Sequence, residues 1–497
     1  MEDIKRIDGR AALALAACAG LYPLLHCVAP LWAQAAARIL LLGGLCAWGA
    51  ARALAGGIPA FSELPWMPLV VAGGWLLSCA ISPAQGFCGE ALADFIAGLG
   101  AMYWMLWLPE RGRSYVFYAV LAASWIMAAI ALYQLCSGQD MTASFLSRNA
   151  FACWLLMITA VLYARGHNLQ SFLFLVLLCL THSRAALLAV AAVTVLRLAL
   201  RGGFFRKILA VFLALCAGVA IHFMNGFSLG ERYAWWRAAL DMARARPWLG
   251  FGPGTFGYVY PAFHVPGASQ FGSTFAHCWP LQLAAETGFV FAALWLGWIV
   301  ARAAHSRGWA VGAAAAALVM SLADYAVVVG PDFVLFCVLL GSLGETPRTE
   351  FVNSRSRRLM LAAACLCAMF ALIPFTFRDM RIAQALSAAD ATAASGDAGG
   401  TLHRLEALCS QYPREPVATL MLARSYKTLA LVNGDRTMLS SAASAYEKAL
   451  AANPFNPGVY DELSAVYTKL GETALFGDTI QRKAQNILWW KPSAKKN

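Results

Sequence analysis

Charge is what this chain has least of. Only 13% of its 497 residues are Asp, Glu, Lys or Arg, against 60% that are hydrophobic, whereas soluble domains carry roughly 25% charged residues. With a mean hydropathy of +0.61, such a chain would aggregate in water, so lipid is its solvent. Acidic residues are the scarcer sign, leaving a net charge of +12. The basic residues stand in short bunches between apolar runs, as topology signals do, and not on one soluble face as nucleic-acid binding requires. No CxxC pair occurs among the 14 cysteines. Cys365 and Cys367 lie two apart in an apolar run, the wrong spacing and setting for zinc, so the cysteines read as small buried apolar residues. No cleavable signal peptide is evident: Met1–Arg10 is basic and polar, and the apolar run after it leads into more membrane.

Apolar runs of spanning length occur at about 11–29, 32–50, 66–83, 91–108, 115–135, 149–164, 169–181, 184–200, 208–224, 280–300, 309–328, 331–344 and 359–377. With Lys5, Arg6 and Arg10 in the cytoplasm, alternation makes Glu110–Arg113, Arg165–Asn168, Arg201–Lys207, Arg302–Arg307 and Pro347–Arg358 cytoplasmic loops, each carrying Arg or Lys. Losing one span in the middle would put RGGFFRK outside. The expected fold is therefore all-α: a polytopic bundle of about 12–13 transmembrane helices over residues 1–377, then a soluble helical tail at 378–497. The same parity makes the tail and the longest internal loop, about 225–279, extracytoplasmic.

The tail contains a self-match at a period of 41, pairing Pro416 with Pro457, Leu422 with Leu463 and Tyr426 with Tyr467. Small residues and aromatics on paired helices, with proline between units, are similar to tetratricopeptide repeats, whose usual period is about 34. An extended turn at Asn433–Thr437 would absorb the surplus, and a plain helical bundle is the alternative.

Four polar features crowd the extracytoplasmic side. Arg148 and Asn149 open the sixth span, where an arginine either binds or merely snorkels. Thr181, His182, Ser183 and Arg184 must form a tight turn at or near membrane depth, where an ionisable group is expensive unless used. Arg232, Trp235, Trp236, Arg237 and Asp241 have helical spacing and read as an amphipathic helix on the membrane, tryptophans down and guanidinium groups up. That helix runs into PWLGFGPGTF (247–256), whose Gly252 and Gly254 permit tight turns or close approach to a ligand rather than forming a nucleotide loop. His277 opens the tenth span, with Gln282 and Glu286 following on the same helix. Arginines hold pyrophosphate through bidentate charge-assisted hydrogen bonds, and a histidine can take a proton from an attacking hydroxyl. With no DxD, HExxH or His/Cys cluster here, the residues require no metal and no cofactor.

On these motifs the chain resembles the O-antigen ligase family, which includes O-antigen polymerases and protein O-oligosaccharyltransferases. The carrying residues are SRN at 147–149, T-x-SR at 181–184, Arg232 to Trp236, Asp241 to Phe256, Ala276 to Gly288, and Asp324-Tyr325 to Pro331 before Gly341, within residues 60–345. The resemblance implies a metal-independent, inverting glycosyl transfer from an undecaprenyl-pyrophosphate-linked glycan to a lipid or protein acceptor at the periplasmic face of a bacterial inner membrane. It makes Arg184 and Arg232 the diphosphate-binding arginines and His277 the group that activates the acceptor hydroxyl. Arg148, Asn149, Trp236, Arg237, Gly252, Gly254, Gln282 and Glu286 are then the candidate substrate-binding residues. Where the family usually has asparagine after the histidine, this chain has Cys278. Polymerase and protein-glycosylating readings share the same site, and the repeats would dock a protein partner. A transporter would need mid-membrane polar residues or inverted repeats, and a scaffold would leave the arginines and His277 idle.

Overall fold

The computed structural model describes residues 2–25, 31–145, 147–201, 229–265 and 272–490. Its helices follow from the solvent: a chain crossing lipid must satisfy its backbone polar groups within itself. In order they are α1 (Glu2–Leu25), α2 (Leu31–Leu54), α3 (Met67–Ile81), α4 (Cys88–Trp107), α5 (Glu110–Cys136), α6 (Arg148–Ala164), α7 (Asn168–Leu180) and α8 (Arg184–Arg201). Then come α9 (Leu229–Ala245), α10 (Trp279–His305), α11 (Val311–Ser321), α12 (Gly330–Ser342) and α13 (Arg355–Ala394). Each apolar run read as a span overlaps one of these helices, except 208–224, which lies outside the described residues. Among the described residues, α5, α10 and the Gln34–Leu54 part of α2 are long and apolar enough to cross a bilayer; α3, α6, α7, α11, α12 and the Arg184–Leu196 part of α8 are apolar but shorter. The chain is an all-α, multi-pass membrane protein.

The run at 309–328 is not one helix. α11 stops at Ser321, and a short 3-10 turn at Ala326–Val328 precedes α12. Asp324 sits in the break, its Oδ1 accepting the backbone amides of Tyr325 at 2.9 Å and Ala326 at 3.1 Å. Local side-chain acceptors of this kind compete with the helical ladder.

α1 packs along α5, α4 along α12, α6 against α7 and α11, and α2 along α13. Small residues set the closest approaches, as packing between helices in lipid requires. A Cβ on Gly341 would lie 2.3 Å from the Met102 carbonyl oxygen, and one on Gly98 would lie 2.5 Å from the Phe333 ring. Trp75 stacks on Phe95 at 3.8 Å, and Phe95 in turn meets Trp295 and Phe333, joining α3, α4, α10 and α12.

The two ends of α12 mark two rims. Beyond its C-terminal end, Arg113 donates to the carbonyls of Leu106, Leu108 and Gly344. Beside it, β1 (Gly57–Pro59) and β2 (Thr349–Phe351) pair antiparallel, Gly57 opposite Phe351. At the N-terminal end of α12 lies the break carrying Asp324.

α13 continues unbroken through Phe377 and Arg378, so the last apolar run and the tail share one helix. The tail follows as α14 (Ala398–Gln411), α15 (Pro416–Asn433), α16 (Arg436–Ala452), α17 (Pro457–Leu470) and α18 (Thr473–Asn486), each packed on the next. The self-match recurs in the contacts. Tyr426 donates to Glu406 at 2.5 Å, and one period on Tyr467 donates to Glu447 at 2.9 Å. Glu415 and Asn456 cap α15 and α17 in the same way. The expected extended turn at Asn433–Thr437 is absent: Gly434 closes α15 in the left-handed region and Asp435 caps α16 at once. The long period comes from helix length, since α15 has 18 residues where α17 has 14.

Candidate functional site

Two helices begin beside one another at the Asp324 rim. Ser147 caps α6 through the Asn149 amide at 3.2 Å. The turn between α7 and α8 lies at residues 181–183, where its tightness was expected, and the Thr181 hydroxyl accepts the Ser183 amide at 3.3 Å. Ser183 Oγ then donates to Asn149 Oδ1 at 2.8 Å, and Asn149 Nδ2 donates to Asp324 Oδ2, also at 2.8 Å. Arg184 and Arg148 are the first residues of their helices, α8 and α6; Arg148 is exposed and Arg184 half-buried.

Asp324 is fully buried and collects the rest of the site. Arg232 Nη2 lies 3.9 Å from its Oδ2, while Arg232 Nη1 donates to the Ala323 carbonyl. Burial lowers the Arg232 pKa from its ordinary value; Asp324 opposes this and the nearby charge of Arg184 adds to it. The charges of the two arginines thus lie within electrostatic reach of each other.

His277 approaches from the other side, its Nδ1 3.6 Å from Asp324 Oδ2. That is just beyond a hydrogen bond, and Nδ1 is a buried donor or acceptor with no hydrogen-bond partner. The ring stacks on Trp235 at 4.8 Å and meets the Tyr325 edge at 5.0 Å, while Trp236 Nε1 donates to the His277 carbonyl at 3.3 Å. Its backbone has φ 51°, a left-handed conformation that costs a non-glycine residue about 1–3 kcal/mol and persists only where the surroundings over-determine it.

What over-determines that backbone is the neighbouring loop. Gln282 Oε1 accepts the Ala276 amide at 3.2 Å, and Gln282 Nε2 donates at 3.2 Å to Glu286 Oε1, which also accepts the Phe256 amide at 3.1 Å. The α10 ladder is broken at Gly288, where φ is 81°. The loop fills the break: the Gly252 amide donates to the Glu286 carbonyl at 2.8 Å and the Phe289 amide to the Pro247 carbonyl at 2.8 Å. Freed backbone groups in a broken membrane helix need such partners. A Cβ at Gly252 would meet Cys88 Sγ at 2.6 Å, and one at Gly254 would meet Ala91 Cβ at 2.7 Å.

The sequence-derived residues therefore divide. Asn149, Arg232 and His277 converge on Asp324, with Arg184 and Trp236 adjoining. Gly252, Gly254, Gln282 and Glu286 are engaged in contacts within the protein. Arg237 is exposed and pairs with Asp241 at 3.9 Å. α9 does not carry its tryptophans toward lipid, because Trp235 and Trp236 both meet His277. Cys278 takes the N-cap position of α10 without a side-chain cap, where asparagine would supply one. Asp324 was legible only as a motif match without a role; an aspartate inside an apolar run was the available signal.

The described fold and rim are those of a helical membrane protein whose polar residues gather an aspartate, arginines and a histidine at one face. Residues 169–296 match the family model described as O-antigen ligase. The matched stretch is thus similar to O-antigen ligases, and it contains Arg184, Arg232 and His277 but neither Asn149 nor Asp324. No curated protein matches the chain.

Proposed function

We propose that this protein transfers a glycan from an undecaprenyl-pyrophosphate-linked donor to an acceptor hydroxyl at the periplasmic face of the inner membrane. The observation that carries the reading is the convergence of Arg232, His277 and Asn149 on one buried carboxylate, with Arg184 close by. In this reading the membrane domain spans residues 1–377, and the helical tail, tetratricopeptide-like in its repeat, is periplasmic. His277 Nε2 takes the acceptor proton, and the freed oxygen attacks the anomeric carbon from the face opposite the pyrophosphate. The bond to the pyrophosphate breaks, the anomeric configuration inverts and the lipid pyrophosphate leaves. Arg184 and Arg232 neutralise the charge that develops on the leaving group, in the place a divalent cation would otherwise take. The N-termini of α6 and α8 add partial positive charge at the same place. Asp324 orients His277 and holds Arg232. Gln282, Glu286 and the glycines of the 250–254 loop set the position of His277 rather than touching the donor.

The test is transfer in vitro by the purified protein. Arg184→Ala and Arg232→Ala should each lower the rate about 10²–10³-fold, His277→Ala should lower it about 10²–10⁴-fold, and EDTA should leave it unchanged. Silent variants at all three positions would sink the proposal. Gene deletion then separates the products. Loss of long chains with build-up of lipid-linked polymer means ligase, single repeat units on the acceptor mean polymerase, and loss of glycosylated protein alone means an oligosaccharyltransferase.

A further inference from the structure

Beyond α18 the tail returns to the membrane domain as a short strap. Ile487 is wholly buried, and the next amide, that of Leu488, donates to the Ala262 carbonyl at 3.0 Å. Trp489 Nε1 donates to the adjacent Pro261 carbonyl at 2.7 Å, and its ring meets that of His264 at 5.9 Å, nearly edge to face. The segment so gripped consists of a four-residue helical turn, Phe256–Val259, and a four-residue 3-10 turn, Tyr260–Phe263. Turns this short are not stable by themselves in water and take their shape from packing. Phe256, Val259, Tyr260 and Ala262 are wholly buried, in an apolar cluster that also contains Ile487 of the strap.

The near end of the same segment is tied to the site. Tyr260 stacks on Phe256 at 5.5 Å, and the Phe256 amide donates to Glu286 Oε1 at 3.1 Å. Gln282 Nε2 donates to the same oxygen at 3.2 Å, and Gln282 Oε1 accepts the Ala276 amide at 3.2 Å. Ala276 precedes His277, whose left-handed backbone persists only while its surroundings hold it. Direct contacts thus run from Trp489 to the residue before His277.

We propose that Trp489 and the strap around it are a positioning element of the transfer reaction, holding His277 through the 256–264 segment, Glu286 and Gln282. The proposal rests on His277 being the base, as read above. It makes the tail part of the transferase as well as a dock for a partner. Arg232 is held separately, by the Ala323 carbonyl and Asp324. Loosening the strap should therefore slow transfer without weakening the grip on pyrophosphate. A reacting group misplaced by about 1 Å costs about 10²-fold in rate.

The experiment uses the full-length protein in detergent, with transfer followed over a range of donor concentrations and binding followed with undecaprenyl pyrophosphate as the probe. Trp489→Ala should lower kcat about 10–100-fold and leave both the donor KM and binding of the probe unchanged. Trp489→Phe keeps a ring against His264 but loses the hydrogen bond to Pro261; it should show a smaller fall, and it carries the test if the alanine variant does not fold. Arg424→Ala weakens the tail at its pair with Glu462, away from the 256–264 segment, and should leave kcat unchanged. A contact route between two residues needs evidence of coupling, which a double-mutant cycle supplies. Gln282→Ala combined with Trp489→Ala should lower kcat no further than the more damaging single variant. Wild-type kcat in the folded Trp489 variants, an equal fall in Arg424→Ala, a raised donor KM at unchanged kcat, or multiplied effects in the double variant would each overturn the proposal while His277→Ala remains impaired. If His277→Ala transfers at the wild-type rate, the reading of the base fails and the positioning role falls with it.

Discussion

Replacing Asp324 separates the stability of the site from its chemistry. The carboxylate is wholly buried, and its removal in Asp324→Ala strands the Asn149 amide, two backbone amides and the charge of Arg232. Breaking a buried ion pair costs about 3–5 kcal/mol. The Arg232 side chain keeps 16% exposure and stands 3.9 Å away, so the loss belongs at the lower end, about 3 kcal/mol. Asp324→Asn retains an oxygen for the Tyr325 and Ala326 amides but turns an NH₂ toward the donors Asn149, Arg232 and His277. It should therefore cost less stability, about 1–2 kcal/mol, while still removing the carboxylate that, in the proposed mechanism, orients His277. Thermal unfolding in detergent and glycan transfer are measured side by side. The expected pattern is a folded Asp324→Asn protein with transfer reduced about 10²–10⁴-fold. Wild-type transfer by a folded Asp324→Asn protein would refute the orienting role.

Three further outcomes follow from other parts of the molecule. In the tail, burial raises the Glu462 pKa, but hydrogen bonds from Arg424, Lys427 and Tyr446 outweigh it and pull the carboxyl down to about 2. Because its pKa is lower folded than unfolded, its stabilisation, about 2 kcal/mol after screening, is present above the ordinary glutamate value of about 4.3 and lost as pH falls toward 2. The thermal midpoint of Glu462→Gln should therefore be lower than wild type at neutral pH and flatter between those pH values. Trp489 Nε1 donates to the Pro261 carbonyl at 2.7 Å and its ring meets His264 at 5.9 Å, so Trp489→Ala should loosen the tail from the 256–264 segment; hydrogen exchange there should rise. Gly288→Ala places a Cβ 2.4 Å from the Trp248 backbone at a positive φ, and thermal unfolding should show a loss above about 1 kcal/mol.

The tail is anchored where the site loop lies. The Leu488 amide donates to the Ala262 carbonyl at 3.0 Å, Phe455 meets Phe251 at 5.4 Å, and a Cβ at Gly86 would touch the Arg414 carbonyl at 2.7 Å. None of these pairings has local periodicity, so none was visible as sequence.

Hydropathy by itself determined where the helices lie, because in lipid an apolar run long enough to matter has few alternatives to a helix. The tight turn at Thr181–Ser183 was legible as a constraint between near neighbours, and the match between Pro416 and Pro457 as a repetition of residue types 41 positions apart. Residue type also marked Arg184, Arg232 and His277, since guanidinium and imidazole groups near a membrane rim are costly unless used. Tertiary structure alone decided what those residues do to one another. Asp324 stands 175 residues from Asn149 in sequence and accepts its amide at 2.8 Å, a pairing that only the packing of α6 beside the α11–α12 break creates. The same packing turned Gln282, Glu286 and the loop glycines inward, where an unmet backbone group in a broken helix costs more than a lost contact to a ligand.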